Sequence, residues 1–256
     1  MECLIIEQES NTTLIAFNQF LSDWDKRYQG VVQKNPLFHP EITTQWSIAQ
    51  KKQLVGYLYH IRGHFHELLW EMGNSAPDSD FKEMIIDNIR DEFGGNGLSH
   101  EKLYYLFAEH FGLDLTLELL DNRYYADFIK HYQNTVLRWF KKADWDYKLS
   151  AFAAIERLDN IDYANLLGLA NSLDSLLPRE TAFFYIHMNV AHFSDKMKAA
   201  LFIIWSKNRG IIEESFQVVL TVQTAMWQAL FEHIHQNNQG EHYSTRQPKE
   251  TKNDNR

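Results

Sequence analysis

The sequence predicts an all-α protein, and three observations carry that reading. Apolar residues recur at helical spacing along nearly all of the 256 residues. No window of alternating β-branched residues bounded by hairpin turns competes with that pattern. Glycine and proline are scarce, at eleven and five residues, and several of them punctuate the apolar pattern where helices would start or stop.

Taken in order, Leu54, Leu58, Ile61, Phe65, Leu68, Leu69 and Met72 share one face of a helix expected from Gln50 to Met72, with Gly73-Asn74 as its stop. Pro77-Asp78-Ser79-Asp80 suits the first turn of the next helix, whose inner face is Phe81, Met84, Ile85, Ile89 and Phe93 and which closes at Gly94-Gly95. Ser99 is placed to cap a third helix that carries Leu103, Leu106, Phe107 and His110 and stops at Gly112. A long helix is expected from Asp121 through Phe140, and another after Trp145 that includes Glu156. The segment after Pro178 reads as helix to about Lys207, where Asn208-Arg209-Gly210 breaks it, and a last helix runs from Ile211 to about His235. Short connectors between helices of this length fit antiparallel packing in a bundle.

A hydrophobic content of 45% in a chain of this size supports one domain with a well-buried core, expected over residues 1–236. From 237 to 256 the chain loses its apolar residues and is rich in Asn, Gln, Lys and Glu, a composition that buries too little surface to offset ordering entropy, so a disordered polar tail is expected there. The formal charge of −9 and the lack of a Lys/Arg-rich run argue against a nucleic-acid surface and against anionic membranes, both of which need clustered cations. Cys3 is the single cysteine, which excludes an internal disulfide. No apolar run reaches the roughly 18 residues of a membrane span, and Met1-Glu2-Cys3-Leu4-Ile5-Ile6 has neither a basic leader nor a signal-like apolar stretch. A cytoplasmic location is expected.

The chemistry is most concentrated in Asp91-Glu92-Phe93-Gly94-Gly95-Asn96-Gly97-Leu98-Ser99-His100. Here a glycine-rich turn joins an acid at one helix end to a histidine at the next helix start. With Glu156 and His187, the chain offers carboxylates and imidazoles from four expected helices, which is how a bundle core builds a non-haem metal site. Such a mixture suits a hard, redox-active ion better than thiolates do. Each residue alone also has an ordinary reading. Glu92 would be a solvated helix-end acid, Glu156 a partner of Arg157 or Arg123, and His187 a satisfied core histidine.

The segment from Thr43 to Leu230 resembles the haem-oxygenase-like superfamily that includes thiaminase II and pyrroloquinoline-quinone synthase. Within it, the chain is most similar to the branch of non-haem iron oxidases typified by the chlamydial death-domain-associating protein. The residues that carry the resemblance are Asn88-Ile89-Arg90-Asp91-Glu92, the glycine-rich turn, His100-Glu101-Lys102-Leu103 and Gly112-Leu113, with Gln53-Leu54 through His64 similar to the family's early helix. The resemblance implies a multi-helix bundle with a centre of one or two iron ions, manganese being the other candidate. The family's ligands are a Glu and a His flanking the glycine turn, a Glu on a middle helix, and a late helix bearing His-x3-Asp-x2-His. Glu92, His100, Glu156 and His187 match the first four, whereas Ala191 and Ser194 stand where the family has Asp and His.

The same late stretch, His187-Met188-Asn189-Val190-Ala191-His192-Phe193-Ser194-Asp195, holds both missing residue types one position late. On a regular helix His192 and Asp195 would sit roughly 140° and 80° round from His187, too far for a shared metal. A π-bulge between His187 and His192 would turn both inward and restore six ligands. The alternative is a centre that binds one iron, or binds the second weakly.

His60, His64, Glu67 and Glu71 form a second polar row at helical spacing, read as a solvated edge or as the lining of a substrate cavity. Tyr57, Tyr59, Tyr104, Tyr105, Tyr124 and Tyr125 are expected to pack, although a tyrosine beside an activated iron centre is open to oxidation. The function implied by the resemblance is an iron-dependent oxidase or oxygenase that acts on a small molecule with dioxygen, in specialised or cofactor metabolism; a homodimer is left open. A thiaminase-type hydrolase is disfavoured because Cys3 lies outside the region of resemblance, and haem oxygenase chemistry would need His39, His60 or His64 as an axial ligand. The non-enzymatic alternative is a metal-depleted bundle that binds a small molecule or a protein.

Overall fold

The computed structural model describes residues 2–64, 67–95, 97–189 and 193–244. No strand occurs among them, so the all-α expectation holds. The chain opens with α1 (Glu2–Val32), a 3-10 turn at Pro36–Phe38 and the short α2 (Pro40–Thr43). α3 (Ile48–Leu58) starts at a capping box in which Ser47 and Gln50 satisfy each other's backbone N–H groups.

The single helix expected from Gln50 to Met72 is interrupted. After Leu58 the chain widens into a π-turn over Tyr59–Gly63, marked by the hydrogen bond from His64 N to Tyr59 O at 2.8 Å, and His64 leaves the helix with extended backbone angles. Helix α4 (Glu67–Ser75) then begins anew. Tertiary contacts supply a reason that periodicity cannot reveal. Gly63 lies so close to Tyr104 that a Cβ there would meet its ring at 2.9 Å, and Arg62 is drawn inward to Asp162.

Helix α5 (Ser79–Glu92) starts at Asp78, whose side chain accepts from Phe81 N at 2.9 Å. It ends in a Schellman motif, with Gly94 N bonded to Asp91 O and Gly95 N to Arg90 O. Gly94 has φ +94°, and a Cβ there would stand 2.6 Å from the Leu98 and Ser99 backbone, so only glycine fits the turn. α6 (His100–His110) follows, capped by Ser99 as expected and stopped at Gly112 with φ +67°.

The long helix expected from Asp121 to Phe140 is also divided. A short α7 (Glu118–Asp121) ends at Asn122 in the left-handed conformation, and α8 (Asp127–Lys142) restarts after Ala126. α9 (Trp145–Leu173) is unbroken and central; its mid-section from Leu149 to Glu156 is buried on every side, with Ala151, Ala153 and Ala154 allowing close helix approach. Of the helix expected after Pro178, α10 (Ala182–Asn189) is described, Phe193 and Ser194 are not helical, and α11 (Asp195–Ser244) begins after them. Asn208 is non-helical inside α11, which places the expected break there as a kink. Of the expected tail, α11 extends to Ser244, and residues 245–256 lie outside the described residues.

Two hydrophobic clusters share α9 as their common wall. One gathers α3, the π-turn, α6, α10 and the distal part of α11 around Tyr104, Phe107, Phe183 and Trp227. The other gathers α1, α4, α5 and the proximal part of α11 around Phe17, Tyr28, Phe152 and Phe216. Each of these rings, fully buried, contributes about 1.5–3 kcal/mol. Glu156 lies on α9 near the junction of the clusters, where such a scaffold can hold a polar centre. Among the described residues no helix is long and apolar enough to cross a membrane.

Candidate metal centre

The Schellman turn brings the end of α5 and the start of α6 together, and α10 completes the site from across the core. His100 Nδ1 lies 3.1 Å from Glu92 Oε1, His187 Nε2 lies 3.6 Å from the same oxygen, and the imidazole centroids are 4.3 Å apart at 66°. One ligand atom from each residue lies within 4.8 Å of the others. A carboxylate in the last turn of a helix faces the unfavourable end of the helix dipole, so its placement here needs partners, and the histidines supply them. Burial acts to raise the Glu92 carboxyl, but contact with the two imidazoles outweighs it and holds the group well below the ordinary carboxylate range.

The orientation of the rings suits a cation. His187 Nδ1 donates to the Phe183 carbonyl at 2.8 Å, which leaves Nε2 as the ring atom directed at Glu92. His100 Nδ1 is buried and within ion-pair distance of Glu92, yet makes no well-formed hydrogen bond. Two imidazole nitrogens and a carboxylate oxygen thus converge, and this donor set fits a non-haem ferrous ion or a comparable divalent metal. Tyr163 stacks on His187 with centroids 4.3 Å apart and an interplanar angle of 15°, and Phe183 covers another side at 4.5 Å, so the ring is fixed by packing as well as by its hydrogen bond.

Glu156, the fourth expected ligand, is buried and electrostatically coupled to Glu92 but outside the three-residue group. Neither arginine named as its partner takes that part. Arg157 binds Asp25 bidentately at 2.7 Å, and Arg123 pairs with Glu118 and Asp121. Among the described residues, the cation whose charge acts on Glu156 is Arg62. Burial, then the charges of Asp159 and Glu92, push the Glu156 carboxyl well above its ordinary range, and Arg62 only partly offsets them.

α10 is described through Asn189, and the π-bulge expected between His187 and His192 falls on residues 190–192, which lie outside the described residues. His192 lies outside the described residues, while Asp195 is exposed in the first turn of α11. Ser194, which stands where the resemblance places a histidine ligand, caps α11 by accepting from Met197 N at 3.2 Å. A capping serine followed by an acid starts a helix well, which accounts for the start of α11 at Asp195.

Behind the centre lies a polar cluster that the sequence reading missed. Asp162 accepts from Tyr28 Oη at 2.6 Å, from Arg62 at 2.7 Å and from Gln223, and Trp227 Nε1 donates to Tyr28 Oη at 3.1 Å. Arg62 also lies 3.3 Å from Asp159. Burial and the neighbouring Asp159 push the Asp162 carboxyl up to about 6, against the lowering effect of Arg62, Tyr28 and Gln223. The available signal was the acidic row Glu156, Asp159, Asp162 on a largely apolar helix, ending at Tyr163, together with Arg62 as a lone cation in an apolar stretch.

The second polar row does not stay on one stripe, because the π-turn and the extended backbone at His64 divide it. His60, His64 and Glu67 line a cavity, as one of the two expectations had it, and Glu71 pairs with Lys148 at 3.0 Å. Other helices do supply partners: Glu118 for His60 at 2.9 Å and Glu101 for His64 at 3.5 Å. The tyrosines pack as expected, with Tyr59 also donating to Glu101 at 2.6 Å.

No known protein family profile matches the chain, and no curated protein does. Solved structures do. A CADD-like protein of unknown function from Nostoc punctiforme PCC 73102 has a TM-score of 0.67 at 19% identity, over 86% of this chain and 99% of that one. A domain of unknown function with a heme oxygenase-like fold from Shewanella denitrificans OS217 has a TM-score of 0.66 at 13% identity, over 89% and 95%. A TenA homologue from P. horikoshii OT3 has a TM-score of 0.58 at 12% identity, over 84% and 98%. These are the kinds of protein the sequence resemblance named. The chain has the haem-oxygenase-like fold.

Proposed function

We propose that the protein is a non-haem metal-dependent oxidase or oxygenase acting on a small molecule, with one iron ion held by Glu92, His100 and His187. The observation that carries this reading is the convergence of three ligand atoms within 4.8 Å of one another, two imidazole nitrogens and one carboxylate oxygen. A ferrous ion held by these residues would supply electrons for the activation of dioxygen; manganese would fit the same ligands.

The chain's own residues provide the rest. The Phe183 carbonyl and the Tyr163 ring hold His187 with Nε2 presented to the site. Burial of His100 and His187 excludes bulk water. Glu156, whose carboxyl is pushed well up by burial and by the charges of Asp159 and Glu92, would serve as a proton donor beside the centre. One ion is favoured over two because Ser194 is used as a helix cap and Asp195 is exposed. Anaerobic titration with ferrous ion tests the reading. The expected result is about one ion per chain, lost in His100→Ala and Glu92→Gln; two ions per chain, or the same uptake in both variants, overturns it. No uptake at all would favour the rival reading, a bundle that retains the fold and only binds.

A further inference from the structure

A separate cavity of about 160 Å³ lies between the π-turn and α8, lined among others by His60, Glu67, Leu68, Tyr132, Gln133 and Val136. None of the three grouped metal-centre residues lines it, and its wall residue Tyr132 lies beside the buried Arg62 and Asp159. We propose that this cavity is a binding site for a small primary amine on an apolar body the size of an aromatic ring, with His60 as the acceptor that recognises its N–H.

The polar lining is built rather than incidental. Glu118 is fully buried, and its Oε1 accepts from Tyr124 N at 2.6 Å and from His60 Nε2 at 2.9 Å. A buried carboxylate in that position fixes the imidazole with its proton on Nε2, which leaves Nδ1 as an acceptor. Burial lowers the proton affinity of His60, its contact with Glu118 acts in the opposite sense and the nearby His64 adds to the lowering, a net downward shift that favours the neutral, accepting ring. Tyr125 stacks on His60 with centroids 4.8 Å apart, and Gln133 clamps both, donating to the His60 carbonyl and accepting from Tyr125 Oη, each at 2.6 Å. The acceptor is therefore held in a single orientation before any ligand arrives, which lowers the cost of recognition.

Charge selects an amine over an acid. Glu67 is exposed where it lines the cavity, the Glu118 carboxylate, its other oxygen paired with Arg123, stands behind His60, and no Lys or Arg occurs among the described lining residues. His64, the other basic lining group, faces Glu101 at 3.5 Å, and Lys130, over the Tyr125 ring, pairs with Asp127 at 3.2 Å. Leu68, Val136 and Leu137 supply the apolar part. In size the cavity compares with the roughly 150 Å³ apolar cavity known to accept benzene.

Benzylamine, benzyl alcohol, benzoate and toluene, titrated into the full chain in chelator at matched ionic strength and followed by side-chain NMR, test this assignment. Benzylamine is expected to saturate, to shift the His60 and Tyr125 signals, and to bind at least tenfold more tightly than benzoate or toluene. Glu67→Gln, on an exposed side chain that leaves the fold intact, should weaken benzylamine several-fold and leave toluene unchanged. Val136→Trp, which fills the cavity, should abolish both. Benzoate binding as tightly as benzylamine, shifts at other residues only, or no saturable binding by any probe overturns the proposal. Because the titration is run without metal, it stands or falls independently of the iron reading.

Discussion

Tyr163 and His187 lie nearly parallel, 15° between planes and 4.3 Å between centroids, so one residue of α9 sets the rotation of a ring carried by α10. Outer contacts of this kind orient ligands and typically alter metal affinity by 10- to 100-fold when removed. Tyr163→Leu is therefore expected to weaken Mn(II) binding about tenfold, and Tyr163→Phe, which keeps the stack, to leave it nearly unchanged. Electron paramagnetic resonance titration of free Mn(II) distinguishes the two, and equal weakening in both variants would assign the effect to the hydroxyl instead.

Metal binding should also register as stability. An ion that binds the folded chain alone adds roughly 2.7 kcal/mol at a hundred times its dissociation constant. For a chain of this size about 2–4 °C of Tm accompanies each kcal/mol, so Mn(II) is expected to raise Tm by roughly 5–10 °C. His100→Ala should remove the increment and, by taking away a partner of Glu92, also lower the metal-free Tm, so the measure is the change in Tm on adding Mn(II) to each protein by scanning calorimetry.

How much of this was legible in the sequence depends on the range of the forces involved. The turn from Glu92 to His100 was legible because its determinants are local: the glycines needed for positive φ, and Ser99 as a cap. The axial helix around Glu156 was legible because its apolar pattern never falters. The interruptions were not. The π-turn at Tyr59 to Gly63 depends on Tyr104 packing against Gly63 and on Arg62 reaching Asp162, partners about 40 and 100 positions away in the chain. The fresh helix start at Asp195 was partly legible, since Ser194-Asp195 is a good helix start, but the apolar pattern after Pro178 favours one continuous helix.

The buried Asp162 should leave a signature in pH dependence. Its carboxyl is pushed up to about 6 in the folded chain from 3.8, so between these values the folded state binds the extra proton. By linkage its contribution to stability is fully present below about 3.8 and is lost as pH rises through about 6. Relative to Asp162→Asn, the wild type is therefore expected to lose stability between pH 4 and 6 on raising the pH. Urea denaturation of both proteins at pH 4.5, 5.5 and 6.5 measures the difference, and parallel profiles would show that the group titrates alike in the folded and unfolded chains.

Gly94 joins the turn to the metal group in one testable residue. At φ +94°, with the Leu98 and Ser99 backbone 2.6 Å from any added Cβ, alanine must either strain the backbone, at on the order of 1–3 kcal/mol, or open the turn. An opened turn moves His100 away from Glu92, because α6 begins only six residues later. Gly94→Ala is thus expected to lower both stability and metal affinity. Gly73→Ala is the control: its added Cβ meets only Ile85 at an ordinary 3.5 Å, and it should leave metal affinity unchanged. Isothermal titration with Mn(II) on the two variants separates a turn that positions ligands from one that merely connects helices, since a merely connecting turn would lose stability alone.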